Sequence, residues 1–137
     1  MALDPWFVTG FCDGEASFTY SRTGRGVNLY FSLKLREEDR EVLEGIRNFF
    51  GVGKIYPVKA LLPGSRGDKT CPSPYYRVCK VLELERIVGH FDSYPLVGRK
   101  AASYRVWKEM FLLKREFRRP DFERLQGLAV QLSDLNS

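Results

Sequence analysis

Residues 6–18, Trp-Phe-Val-Thr-Gly-Phe-Cys-Asp-Gly-Glu-Ala-Ser-Phe, concentrate more chemistry than any other stretch of the chain. Read with a helical period, Trp6, Phe7, Phe11 and Cys12 supply an apolar side. Gly10 and Gly14 stand four residues apart, and Asp13 and Glu15 close the segment. Each glycine costs a helix about 1 kcal/mol relative to alanine, so the pair needs a reason, and close approach of another backbone is the best one. From Ser17 the period shortens to two, Ser17-Phe18-Thr19-Tyr20-Ser21, as in a strand with one polar face. A carboxylate is thus placed where a close-packed helix passes into a strand. An ordinary buried helix whose acids fray into water has the same spacing, and spacing alone does not separate the two.

At 137 residues, the chain predicts one domain, residues 1–137, large enough to bury a core without staples. With 44% hydrophobic and 28% charged residues it has the balance of a soluble globular chain. No apolar run reaches the length of a membrane span and the start lacks the order of a signal peptide, which predicts no membrane partner and a place inside the cell. Three cysteines, Cys12, Cys71 and Cys79, cannot all pair and match no zinc spacing, so they are read as reduced and structural. His90 is the single histidine, which argues against a histidine-based triad or a histidine-rich metal site. Lys and Arg outnumber Asp and Glu by 22 to 17, and the pI of about 9.2 leans the surface toward a polyanion. Arginine outnumbers lysine 14 to 8, with only 3 Asn and 3 Ile, the residue usage of a GC-rich coding sequence. That usage favours a bacterial or archaeal cytoplasm, with an organelle as the alternative.

Outward from the opening helix, residues 16–23 and 27–36 form two alternating runs around Thr23-Gly24-Arg25-Gly26, a hairpin signal. Phe18, Tyr20, Leu29, Phe31, Leu33 and Leu35 fall on one face. The other face carries Ser17, Thr19, Ser21, Thr23, Asn28, Tyr30, Ser32 and Lys34, a row rich in hydrogen-bonding groups. The helical period returns over 37–50 with acids in its first turn. A third strand is predicted over 54–58, shortened or placed at an edge by Pro57, and a fourth over 75–81. The intervening 59–74 is too long for a tight turn. Helices over 82–91, 98 to about 117 and 121 to about 135 complete an α+β chain.

Gly10-Phe11-Cys12-Asp13-Gly14-Glu15, flanked by Trp6-Phe7 and Ser17-Phe18, resembles the signature of the LAGLIDADG homing endonucleases in its DGE variant. His90-Phe91-Asp92-Ser93-Tyr94-Pro95-Leu96 with Lys100 is similar to the family's second recognisable patch, and 125–136 looks like its closing helix. The order of elements is the family's αββαββα core, so the resemblance covers essentially the whole chain. It implies a curved four-stranded antiparallel saddle lying in the DNA major groove, followed by C-terminal helices. It also implies metal-dependent cutting of both strands of a long pseudopalindromic double-stranded site. Ala16 stands where many members have glycine, and Cys12 where an aliphatic residue is usual; neither removes a catalytic group.

Since members with one motif act as homodimers, the resemblance implies pairing of two chains through Phe7, Gly10, Phe11, Asp13 and Gly14. Glu15 would then be the metal ligand and a catalytic residue, with Mg2+ as cofactor and Ca2+ or Mn2+ able to substitute in vitro. Lys100 would be the second catalytic residue. For DNA contact, Lys34, Lys54 and Arg77 are expected to supply affinity, while Ser21, Asn28, Tyr30, Ser32 and Tyr56 are placed to read bases. Arg25 at the hairpin tip would reach outward along the backbone, and Ser17, Thr19 and Tyr75 complete the set. Two alternatives use the same fold: a maturase acting on intron RNA, with which Glu15 is compatible though its loss would have favoured that reading, and a non-cleaving DNA-binding regulator, which needs neither Glu15 nor Lys100.

Overall fold

A computed structural model describes residues 2–24, 26–57, 73–117 and 119–137. Helix α1, Pro5–Glu15, starts at Asp4, whose carboxylate accepts from the amides of Trp6 (2.8 Å) and Phe7 (3.4 Å), with proline at the first helical position. No loop follows it, because β1, Ala16–Thr23, begins at the next residue. After β2, Gly26–Lys34, come a single 3-10 turn at Glu37–Asp39 and α2, Arg40–Phe50. Strands β3, Lys54–Tyr56, and β4, Tyr75–Val78, precede α3, Val81–Ser93, α4, Lys100–Glu116, and α5, Phe122–Asn136.

The sheet order is β1-β2-β4-β3 with every neighbouring pair antiparallel. The α+β reading and its four antiparallel strands therefore hold, with differences at element ends. The helix expected from 37 is tightened into the 3-10 turn before α2, where Asp39 N–H bonds the Arg36 carbonyl at i−3. Strand β2 ends at Lys34 rather than 36, and Leu35 N–H turns to the Pro74 carbonyl. Strand β4 stops at Val78 rather than 81 because the Lys80 carbonyl already accepts the first amides of α3, from Glu83 and Leu84. The expected loop over 59–74 lies outside the described residues as far as 72, as does Val58. Gly53 is needed where β3 approaches β4: its φ is +84°, and a Cβ there would stand 2.8 Å from the Arg77 carbonyl oxygen.

One face of the sheet carries the core, as the two-residue period predicts: Ala16, Phe18, Leu29, Phe31, Leu33, Tyr76 and Val78 are all buried. Phe18 is its hub, with ring centroids 5.2–5.5 Å from Phe31, Phe91, Tyr104 and Trp107. Such pairs add about 0.5–1.5 kcal/mol each beyond buried area. Trp107 is fully buried and places its indole N–H on the Thr19 carbonyl at 3.1 Å. Cys12 is buried beside this core, and burial pushes its thiol up to about 12, in keeping with an inert cysteine. Cys79 is exposed and free, and Cys71 lies outside the described residues. No helix is long and apolar enough to cross a membrane among the described residues.

His90 fastens α1 to α3. Thr9 Oγ1 donates to the Tyr94 carbonyl at 2.8 Å, so its lone pair is left to accept from His90 Nε2 at 2.9 Å, which assigns the proton to that nitrogen. The ring lies against Phe49, Phe50 and Tyr94. Burial lowers its pKa to about 4 from an ordinary 6.5. A base depressed in the folded state binds more protons when unfolded, so its contribution is fully present above pH 6.5 and is lost between there and about pH 4. We expect the stability gap between the wild type and His90→Gln, followed by urea midpoints, to narrow as pH falls from about 7 to 5. A gap that stays constant over that range would show that folding does not depress the His90 pKa.

Candidate functional site

The passage from α1 to β1 places Glu15 at the last position of the helix and Ala16, fully buried, at the first of the strand. Carboxylates at a helix C-terminus oppose the macrodipole, each at a cost of about 0.3–1 kcal/mol when exposed. Asp13 and Glu15 both sit there, with no basic residue in the last turn. Asp13 offsets its position by folding inward: Oδ2 accepts from the amides of Val97 (3.0 Å) and Gly98 (2.8 Å), so the loop before α4 is tied to the end of α1. Its other oxygen, Oδ1, is buried without a hydrogen-bond partner among the described residues. A Cβ at position 98 would stand 3.0 Å from that oxygen, which accounts for glycine there. Glu15 is exposed and makes no hydrogen bond or ion pair among the described residues.

Tied in this way, the loop delivers Lys100 at the start of α4, and its ammonium donates to the Ala16 carbonyl. Burial lowers the Lys100 pKa, partly opposed by the negative charge of Glu15. Glu15 and Lys100, 85 positions apart in sequence, therefore share the junction between α1 and β1. Next to it a cleft of about 290 Å³ is lined by Ser17, Thr19, Ser32, Arg99, Lys100 and Asn136, among others. Asn136 closes it from the end of α5 by donating to the Phe18 carbonyl at 3.0 Å. Arg99 and Asn136 were missed from sequence. No spacing rule links them to the motif, since the Asn136 to Phe18 contact spans 118 residues.

The polar face of the sheet gathers the other expected residues. Across β1, β2 and β4 run the pairs Ser17↔Ser32 and Ser32↔Arg77, continued by Arg77↔Lys54 on β3. The next row holds Lys34↔Tyr75 and Tyr75↔Tyr56. Thr19 and Ser21 lie opposite Tyr30 and Asn28. Ser21 Oγ donates to the Tyr30 hydroxyl at 3.0 Å, and the Asn28 amide to Thr23 Oγ1 at 3.3 Å. Ser17, Asn28, Lys34, Lys54 and Tyr56 are exposed, while Thr19, Ser21, Tyr30, Ser32, Tyr75 and Arg77 are half-buried. Arg25 lies outside the described residues.

On α1, Phe7 is 46% exposed and Trp6 56%, although Trp6 touches the Tyr94 ring edge-on at 5.0 Å. Gly10 and Gly14 are exposed, and a Cβ at either would meet nothing within 4 Å. Phe11 is half-buried against Phe7, their ring centroids 5.8 Å apart. Trp6, Phe7, Gly10 and Gly14 thus lie on a side of α1 left uncovered, whereas of the expected interface set Asp13 bonds its own chain and Phe11 packs partly against the core.

The LAGLIDADG endonuclease family pattern matches residues 8–111. A protein of Podospora anserina named as an uncharacterized 50.9 kDa protein in ND4 intron 1 is 34% identical over 81% of this chain and 24% of its own length. The probable intron-encoded endonuclease 2 of Neurospora crassa is 29% identical over 98% of the chain and 29% of its own. The crystal structure of the LAGLIDADG meganuclease I-AabMI bound to uncleaved DNA superposes with a TM-score of 0.77 at 32% identity, covering 93% of this chain and 44% of that one. The chain therefore spans about a quarter of the curated relatives and under half of the solved structure. The curated relatives are fungal, which lends no support to the bacterial or archaeal host suggested by residue usage. With the motif at the helix-to-strand junction, four antiparallel strands and a match over residues 8–111, the chain belongs to the LAGLIDADG endonuclease family.

Proposed function

We propose that residues 1–137 act as one domain supplying half of a site-specific, divalent-metal-dependent DNA endonuclease. In this reading two copies pair through α1 and cut both strands of a long pseudopalindromic double-stranded site. The observation that carries it is Glu15: an exposed, unpaired carboxylate beside the Lys100 ammonium, on a helix whose glycines face open space. Support comes from the family and from the I-AabMI structure, which is bound to DNA. An organelle is the location we favour, since the relatives are fungal and named for introns, one of them an ND4 intron.

The donor set fits a hard cation, but only in part. Mg2+ takes one or two carboxylates, keeps several waters and completes its shell with substrate phosphates. Glu15 is such a ligand, whereas Asp13 has one oxygen committed to Val97 and Gly98. Among the described residues no group of three His, Cys, Asp or Glu side chains could hold a metal. Two Glu15 side chains brought together across paired α1 helices would supply the missing half. The ion would polarise the scissile phosphate and lower the pKa of the attacking water.

The chain's own residues do the rest. Lys100, held at the Ala16 carbonyl, supplies positive charge to the phosphate as negative charge develops, and its burial adds strength to that interaction. On the sheet, Lys34 and Lys54 neutralise phosphates. Ser17, Thr19, Ser21, Asn28, Ser32 and Tyr56 present donors and acceptors to base edges. A second arrangement is favoured by relatives whose own length is about twice or more that of this chain: the second motif can be joined on one longer polypeptide.

Assembly is tested by Gly10→Leu, which places a branched side chain where the second helix would approach. Sedimentation should show a dimer for the 137-residue wild type and a monomer without cutting for the variant. A wild-type monomer that cuts both strands at full rate would rule out the paired site. Chemistry is tested by Glu15→Gln, which nearly keeps shape while removing the charge that attracts a cation. Binding should persist and Mg2+-dependent cutting should fall by about a thousandfold or more, several kcal/mol of transition-state stabilisation. If Glu15→Gln cuts at the parent rate, the acid is structural and the catalytic role assigned to it fails; if the wild type binds duplex without cutting it, the maturase or regulator readings replace the nuclease.

A further inference from the structure

Arg77 is built unlike the other cations of the sheet. It sits on β4, an interior strand, opposite Ser32 of β2 and Lys54 of β3. Its guanidinium carbon lies 4.6 Å from the centroid of the Tyr30 ring and 5.2 Å from that of Tyr75. Tyr75 is backed in turn by Tyr56, with centroids 5.1 Å apart and planes 19° apart. Nε is buried and has no hydrogen-bond partner among the described residues, nor does a carboxylate among them pair with the guanidinium. Lys34 and Lys54, by contrast, are exposed.

A cation that only neutralises phosphate gains little from being clamped, because a flexible side chain can follow the backbone of the duplex. Reading a base is different. The fork must keep one plane and one direction, and the commonest specific contact in the major groove is a bidentate arginine on O6 and N7 of guanine. Two aromatic rings within cation–π distance restrain a planar guanidinium in a way that lysine cannot match. With Nε enclosed beside the rings, the terminal nitrogens Nη1 and Nη2, which bond to no side chain or carbonyl among the described residues, are left to form the fork. We propose that Arg77, clamped by Tyr30 and Tyr75, reads one guanine in each half-site, and that the two tyrosines act as its positioning residues. The proposal rests on the DNA-binding reading above and changes the part of Arg77 in it from affinity to specificity.

The test uses the intact chain in Ca2+ buffer and a duplex selected by the wild type from a random DNA library, together with all single base-pair changes of that duplex. The wild type should require G·C at one position per half-site. Arg77→Ala should flatten the preference at that position by about ten- to hundredfold and leave the rest of the profile in place. Tyr30→Leu should flatten the same position, Tyr30→Phe should retain the preference, and Tyr30→Leu added to Arg77→Ala should change nothing further there. Uniform weakening across all sequences by Arg77→Ala, with the salt slope reduced by about 1, would make it a phosphate contact and overturn the proposal. An unchanged base profile with a lowered melting temperature would overturn it as well, by making the clamp a structural staple. If the wild type selects no DNA, the DNA-binding reading itself fails, a result distinct from selection followed by an unaltered profile.

Discussion

Helix α1 passes into β1 without a single intervening residue, and this constraint fixes the rest of the molecule. Glu15 is the last helical residue and Ala16, fully buried, the first of the strand, so the acid cannot move independently of the sheet. The loop that introduces α4 is then fastened by Asp13 through the amides of Val97 and Gly98, which sets Lys100 on the Ala16 carbonyl. A loop at the junction would have let the carboxylate wander. Rigid elements hold functional groups more accurately than loops do.

The same junction breaks a local rule. Two acids at a helix C-terminus oppose the macrodipole, and sequences tend to violate such preferences where function requires it. Asp13 recovers part of the loss through hydrogen bonds of its own chain, while Glu15 has no partner among the described residues. One acid thus serves architecture, and the other is the one to which the proposed metal role falls.

Much of this was legible in the sequence because strand parity is robust. A period of two assigned Phe18, Leu29, Phe31 and Leu33 to the core face and left Ser17, Tyr30, Ser32 and Lys34 on the other, and burial follows that division. The glycine pair and the acids were visible for the same reason, being local. What could not be read were contacts that depend on register between strands distant in sequence. The tyrosine clamp on Arg77 needs β4 to lie between β2 and β3 in one particular alignment. The amide of Asn136 on the Phe18 carbonyl links residues 118 positions apart. Element ends also escaped, since β4 and the start of α2 are decided by which carbonyl captures the next amide rather than by composition.

Strand β1 ends the sheet on one side, and the carbonyls of Ala16 and Phe18 are engaged by Lys100 and Asn136 rather than by a further strand. At the opposite end β3 is only three residues long, contains Lys54 and is followed by Pro57, which has no amide proton to offer. Open edges of this kind invite sheet-to-sheet addition and aggregation, and short strands, lysine, proline and covering side chains are how proteins prevent it. Both margins are therefore poorly suited to lengthening. Neither margin, as described, favours merging the sheets of two copies into one continuous ribbon. If the polar face receives duplex as proposed, the length that one copy can face is accordingly set by its four described strands.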